Sequence, residues 1–188
     1  DYSGGNVTDF GAHHLDIVQW ALGQDESGPS EFFGFKATWP EKGALYTTPP
    51  TFAFEYRYAD GTHVQVADKM DFGSGIRFEG EAGSITCTRG MLKIEPDSLR
   101  KPLADGDVRL YESKDHFRNF IDAIQDGAKP AAPIEYAHRS ITIAHVANIG
   151  LRLGRDKLRW DPATERFIDD AEADAMRTRP MRAPWELV

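Results

Sequence analysis

Between positions 9 and 16 the stretch "DFGAHHLD" holds Asp9, His13, His14 and Asp16. Asp9 and His13 are four residues apart and His13 and Asp16 three, so a helix here projects all three from one side. A carboxylate beside an imidazole fixes its tautomer and favours its protonated form, which is how a general base is held for proton transfer. Gly4 and Gly5, just upstream, would let a ligand approach the backbone closely. The same residues also describe a plain capped helix, with Thr8 or Asp9 as N-cap, His13 a hydrogen-bonded core residue and His14 on the surface. Asp and His at helical spacing can also ligate a divalent ion, but no further ligand cluster lies nearby.

A helix over residues 9–22 must position these groups. Leu15, Val18 and Leu22 recur at i, i+3 and i+7, Ile17, Trp20 and Ala21 widen the stripe, and Gly23 suits the C′ position. A β-rich section follows. "EFFGFKATW" (31–39) is strand-like, and Phe52, Phe54, Tyr56 and Tyr58 alternate toward an Asp60-Gly61 turn and a return strand bearing Val64 and Val66. "GIRFEG", "GSITCTRG" and "MLKIEP" predict three more short strands at meander spacing. The last third predicts helices over 113–127, with Phe117, Phe120, Ile121 and Ile124 on one face, and over 133–154. A small hairpin ("KLRWD", "RFID"), a short helix and an extended tail from residue 179 complete the chain. The fold class is α+β: one open antiparallel or mixed sheet of five or more strands, covered by helices on one face.

At 188 residues, 40% hydrophobic and 28% charged, the chain is long enough for a real core. A formal net charge of −8 argues against nucleic acid or an anionic membrane as partner. No apolar run approaches the ~18 residues of a membrane span. The lone Cys87 excludes an internal disulfide and a multi-cysteine zinc site. Cytoplasm is the default compartment, with periplasmic export of a longer protein left open. The absence of an initiator Met makes the chain read as a fragment. "FGSGIRFEG" (72–80) misses the G-x-G-x-x-G spacing and leads into a strand, so it reads as a turn and not a phosphate cradle. His138 and His145, seven apart, share a helix face but lack accompanying carboxylates; with His116 they read as core or interface histidines.

"GGNVTDFGAHHLDIVQWALG" resembles the start of the C-terminal domain of the glucose–fructose oxidoreductase / inositol dehydrogenase / rhizopine-catabolism (Gfo/Idh/MocA) family. Gly4, Gly5, Asp9, His13, Asp16, Trp20 and Gly23 match its pattern there. "FEYRYADGTHVQV", "GSITCTRGMLKI", "HFRNFIDAIQDGAKP" and "HRSITIAHVANIGLRLGRDKLRWDPATERF" continue the resemblance in order along nearly the whole chain. The resemblance implies that residues 1–188 are a single substrate-binding and oligomerisation domain. NAD or NADP would be held mainly by an N-terminal Rossmann domain outside this chain. It implies hydride transfer between the nicotinamide and a secondary alcohol or ketone of a sugar, cyclitol or polyol. His13 would be the acid/base and Asp9 its support and a substrate ligand, while His14, Asp16 and Gly5 would bind or orient substrate. The family's catalytic lysine would lie in the other domain, so the isolated fragment is expected to be inactive. Assembly as a homodimer or tetramer through the sheet is the family habit. Two alternatives stay open: an NAD-dependent glycoside hydrolase of the same two-domain architecture, and a non-catalytic binding module.

Overall fold

Aromatic alternation in β2 (Thr51–Arg57) defines the inner face of a five-stranded sheet. Phe52, Phe54 and Tyr56 are buried, while Thr51 and Arg57 are exposed. The computed structural model describes residues 3–185. β1 (Glu31–Thr38) is the central strand, pairing antiparallel with β2 on one edge and with β7 (Lys157–Asp161) on the other. β3 (His63–Ala67) and β8 (Arg166–Ile168) complete the order β3-β2-β1-β7-β8. The register lines up Val64, Tyr56, Phe32 and Leu158 across four strands, and the last three are at most 1% exposed. Each such buried side chain contributes about 1.5–3 kcal/mol relative to exposure.

β1 carries a bulge between Phe33 and Lys36. Gly34 sits in it with φ +66°, and a Cβ there would stand 3.0 Å from Glu55 Oε1. The extra residue resets the alternation, so Phe32 and Phe35, three apart, both face the helices. Those helices are α1 (Phe10–Ala21) and α3 (Ile134–Leu153), with a 3-10 turn at Gly5–Val7 before α1. Val7, Leu15, Ile143, Ala144, Val146 and Ala147 join the sheet aromatics in one core.

Helix α3 meets the sheet at Gly150, where a Cβ would lie 2.3 Å from Phe35 Cζ and 2.5 Å from its Cε1. Alanine normally favours a helix interior over glycine by about 1 kcal/mol. Here a rigid ring occupies the space, and overpacking costs about 1–3 kcal/mol. Gly150→Ala is therefore expected to destabilise the protein by about 1–2 kcal/mol in urea unfolding. The Phe35→Leu background should reverse the sign of that exchange.

The other face of the sheet is polar. Glu31 pairs with Lys157 at 2.5 Å and with Arg57 at 3.8 Å. Phe33 on this face stacks on the His63 ring, centroids 5.6 Å apart, and the Arg57 guanidinium lies 5.3 Å from its centre. Beyond β8, Asp170 caps α4 (Ala171–Ala175) by accepting from the Ala173 amide. The Arg155 guanidinium, 2.8 Å away, holds the Asp170 carboxyl below the usual carboxylate range.

The five-stranded sheet meets the sheet expected from the sequence, and among the described residues three further strands pair in a sheet of their own. The amide of Phe52 bonds Asp68 Oδ1 just past the end of β3. The next three strands, β4 (Ile76–Gly80), β5 (Gly83–Thr88) and β6 (Met91–Glu95), pair only with one another as a meander. They belong to a second compact unit, Lys69–His138; the chain before Lys69 and from Arg139 on makes the first. In the second unit, α2 (His116–Asp126) starts at Asp115, not Ser113, because the Asp115 side chain accepts from the Arg118 amide. Gly127, with φ +67°, ends it. The expected apolar face is there, but Phe117, Phe120 and Ile124 are each more than 60% exposed. Of the tail expected to be extended, residues 186–188 lie outside the described residues.

Candidate functional site

Helix α1 presents two faces of different character. Leu15, Val18 and Gln19 are buried against the rest of the first unit. Phe10, His13, Ile17 and Trp20 recur at i, i+3, i+7 and i+10 on the opposite side and are exposed. The His13 ring stands edge-on to Phe10, centroids 6.4 Å apart and planes at 71°. His13 is thus an exposed imidazole inside an apolar stripe, not a core histidine.

Asp9 occupies the N-cap position of α1, yet its side chain makes no capping hydrogen bond. The carboxylate stands exposed one turn before His13. The turn is held instead by its backbone and by Thr8. Gly5 carbonyl accepts from the amides of Thr8 (3.0 Å) and Asp9 (2.9 Å). Thr8 Oγ1 accepts from the Gly4 amide at 2.9 Å and donates to the Gly5 carbonyl at 3.3 Å.

Both glycines are explained by neighbours within the protein. Gly5 has φ +63°, and a Cβ on it would stand 2.5 Å from Thr48 Oγ1; one on Gly4 would stand 2.4 Å from Thr8 Cγ2 and 3.2 Å from Asn148 Nδ2. What approaches Gly5 closely here is Thr48. Asp16 faces α3, where its Oδ1 accepts from Ser140 Oγ at 2.7 Å. That bond ties α1 to α3 two turns from Asp9. His14 is half-buried on the adjacent flank of the helix. Asp9 and His13 therefore share the open side of α1, and Asp16 and Gly5 help to fix the helix that carries them.

Three supports were not singled out by the sequence: Gln19, Thr48 and Ser140. Gln19 had a signal, a polar residue at i+4 from Leu15 inside the apolar stripe. Thr48 and Ser140 had none, because only the fold brings them to α1. On α3, His145 lies between Ser140 and Asn148, the two positions that meet α1 and its preceding turn. His145 is exposed at residue level, and desolvation of its ring lowers its pKa.

Among the described residues no three His, Cys, Asp or Glu side chains gather to hold a metal ion. No helix among them is long and apolar enough to cross a membrane. Nor does a glycine turn lead from a strand into a helix N-terminus as a dinucleotide cradle requires. Gly73 and Gly75, both at positive φ, form a turn that enters strand β4.

A family model described as the oxidoreductase family, C-terminal alpha/beta domain (GFO_IDH_MocA_C2), matches residues 1–187. Among solved structures, an NAD-binding protein from Listeria innocua superposes with a TM-score of 0.57 at 15% identity. The match covers 83% of this chain and 48% of that one, so the chain spans about half the length of this neighbour. No curated protein matches the chain.

Proposed function

This chain belongs to the Gfo/Idh/MocA oxidoreductase family, through its C-terminal alpha/beta domain, and from that premise we propose that it is the substrate-side domain of a nicotinamide-dependent dehydrogenase. Its substrate would be a secondary alcohol or ketone on a sugar, cyclitol or polyol. The observation that carries this is the pair Asp9–His13 on the open side of α1, with the carboxylate free of capping duty and the imidazole exposed.

In alcohol oxidation the neutral imidazole of His13 would accept the hydroxyl proton, and in ketone reduction its protonated form would return it. Asp9 would hydrogen-bond a neighbouring substrate hydroxyl and hold the reacting one toward His13. The Asp16–Ser140 bond and the Gly5 carbonyl fix the helix that carries both groups. NAD or NADP, when bound, would take up or give the hydride. The described residues form no cradle for it, and we assign it to a preceding domain outside this sequence. The half-length match to an NAD-binding protein supports that division. Self-association would use the polar sheet face around Phe33, Arg57 and His63, where an aromatic ring is in contact with a histidine ring and a guanidinium.

The test is product analysis with the full-length protein, NAD⁺ or NADP⁺ and a panel of sugars, cyclitols and their glycosides. A ketone product formed with an equal amount of reduced nicotinamide is expected. Released aglycone with no net reduced nicotinamide would instead assign the chain to the glycoside-hydrolase alternative.

A further inference from the structure

The segment between β1 and β2 is anchored at one end and open at the other. Residues 41–44 make a tight turn, the Ala44 amide bonding the Glu41 carbonyl at 3.1 Å. Leu45 and Tyr46 follow, 90% and 79% exposed. Then Thr48 is half-buried, Pro49 is buried, and β2 begins at Thr51. The anchor rests on the site, because Thr48 is the residue packed on Gly5. The Gly5 carbonyl in turn receives the Asp9 amide. Two residues of chain span at most about 7 Å, so the Tyr46 backbone stays within that distance of Thr48. The adjoining Pro49-Pro50 pair restricts the backbone and limits how far the segment can swing away.

Leu45 and Tyr46 stand exposed side by side on the loop whose base packs on the Gly5 turn. Tyrosine offers an apolar ring face with a hydroxyl at its tip. A polyhydroxylated ring has the matching chemistry, with C–H faces and a rim of hydroxyls. Resting on the dehydrogenase reading above, we infer that residues 39–50 form the substrate-selecting wall of the Asp9–His13 site. Thr48 seats the wall on the Gly5 turn, and Tyr46 is the side chain it presents to the substrate ring.

The test compares full-length wild type, Tyr46→Ala, Tyr46→Phe and His13→Ala on myo-inositol, D-glucose and the simple alcohol 2-butanol. Tyr46→Ala is expected to lower the ratio of kcat/KM for the favoured ring substrate to that for 2-butanol by about tenfold or more, with Tyr46→Phe in between. An unchanged ratio in Tyr46→Ala, alongside lost turnover in His13→Ala, overturns the wall and leaves the dehydrogenase reading standing. A second measurement does not depend on turnover. Tetranitromethane should nitrate Tyr46 in the free protein, and saturating ring polyol should slow that nitration at least several-fold. Protection of Tyr46 while His13→Ala keeps full activity would support the wall and overturn the catalytic assignment. Equal nitration rates with and without both ring polyols overturn the wall whatever the activity.

Discussion

His13→Ala in the full-length protein is expected to lower kcat for alcohol oxidation by about 10²–10⁴-fold, the usual contribution of a positioned general base. That corresponds to about 3–5 kcal/mol of transition-state stabilisation. The side chain is exposed and meets Phe10 edge-on, so removing it should move unfolding free energy by no more than about 0.5 kcal/mol. Loss of turnover with stability intact separates catalysis from folding. Asp9→Asn should act differently, raising KM as well as lowering kcat, since the role proposed for its carboxylate is to hydrogen-bond substrate. Wild-type turnover in His13→Ala would overturn the acid/base role and favour a binding module that kept the fold without the chemistry.

The helices and strands of this chain could be read from its local patterns, and their assembly could not. Alternation at Phe52, Phe54 and Tyr56 and the Asp60-Gly61 turn specify the β2–β3 hairpin within a dozen residues. That β7 returns more than a hundred residues later to pair with β1 depends on contacts no local period encodes. The bulge at Gly34 was equally hidden, because a single glycine in a strand pattern does not say where the alternation resets. At the site, the spacing of Asp9 and His13 was enough to put them on one side of a helix. Which side was open, and that Asp16 would turn to Ser140, followed only from where α3 lies. The apolar stripe of α1 shows the same limit. Leu15 and Val18 were correctly inward, yet Ile17 and Trp20, expected to widen that stripe, flank His13 on the exposed side, Trp20 half exposed.

The polar residue inside that stripe carries the second large effect. Gln19 is fully buried, and its amide is used at both ends. Nε2 donates to the carbonyls of Gln24 (2.9 Å) and Ser27 (3.0 Å), while Oε1 accepts from the buried hydroxyl of Tyr58. One side chain thus fastens α1 to the loop that follows it and to the end of β2. Gln19→Leu keeps the volume and strands three polar partners, each costing about 1–3 kcal/mol when left unsatisfied in the interior. The two carbonyls lie in partly buried bonds where water can replace the amide, and the leucine gains some apolar burial, so the sum falls short of the maximum. A net loss of about 3–5 kcal/mol in urea unfolding is expected, a large share of the 5–15 kcal/mol typical of a folded domain. In a double-mutant cycle with Tyr58→Phe, the second substitution should cost clearly less in the Gln19→Leu background than in wild type, because the hydroxyl it removes has already lost its acceptor. Additive losses would show that Gln19 and Tyr58 stabilise the fold independently. Coupled losses would identify a single polar clamp that holds the helix bearing Asp9 and His13 onto its sheet.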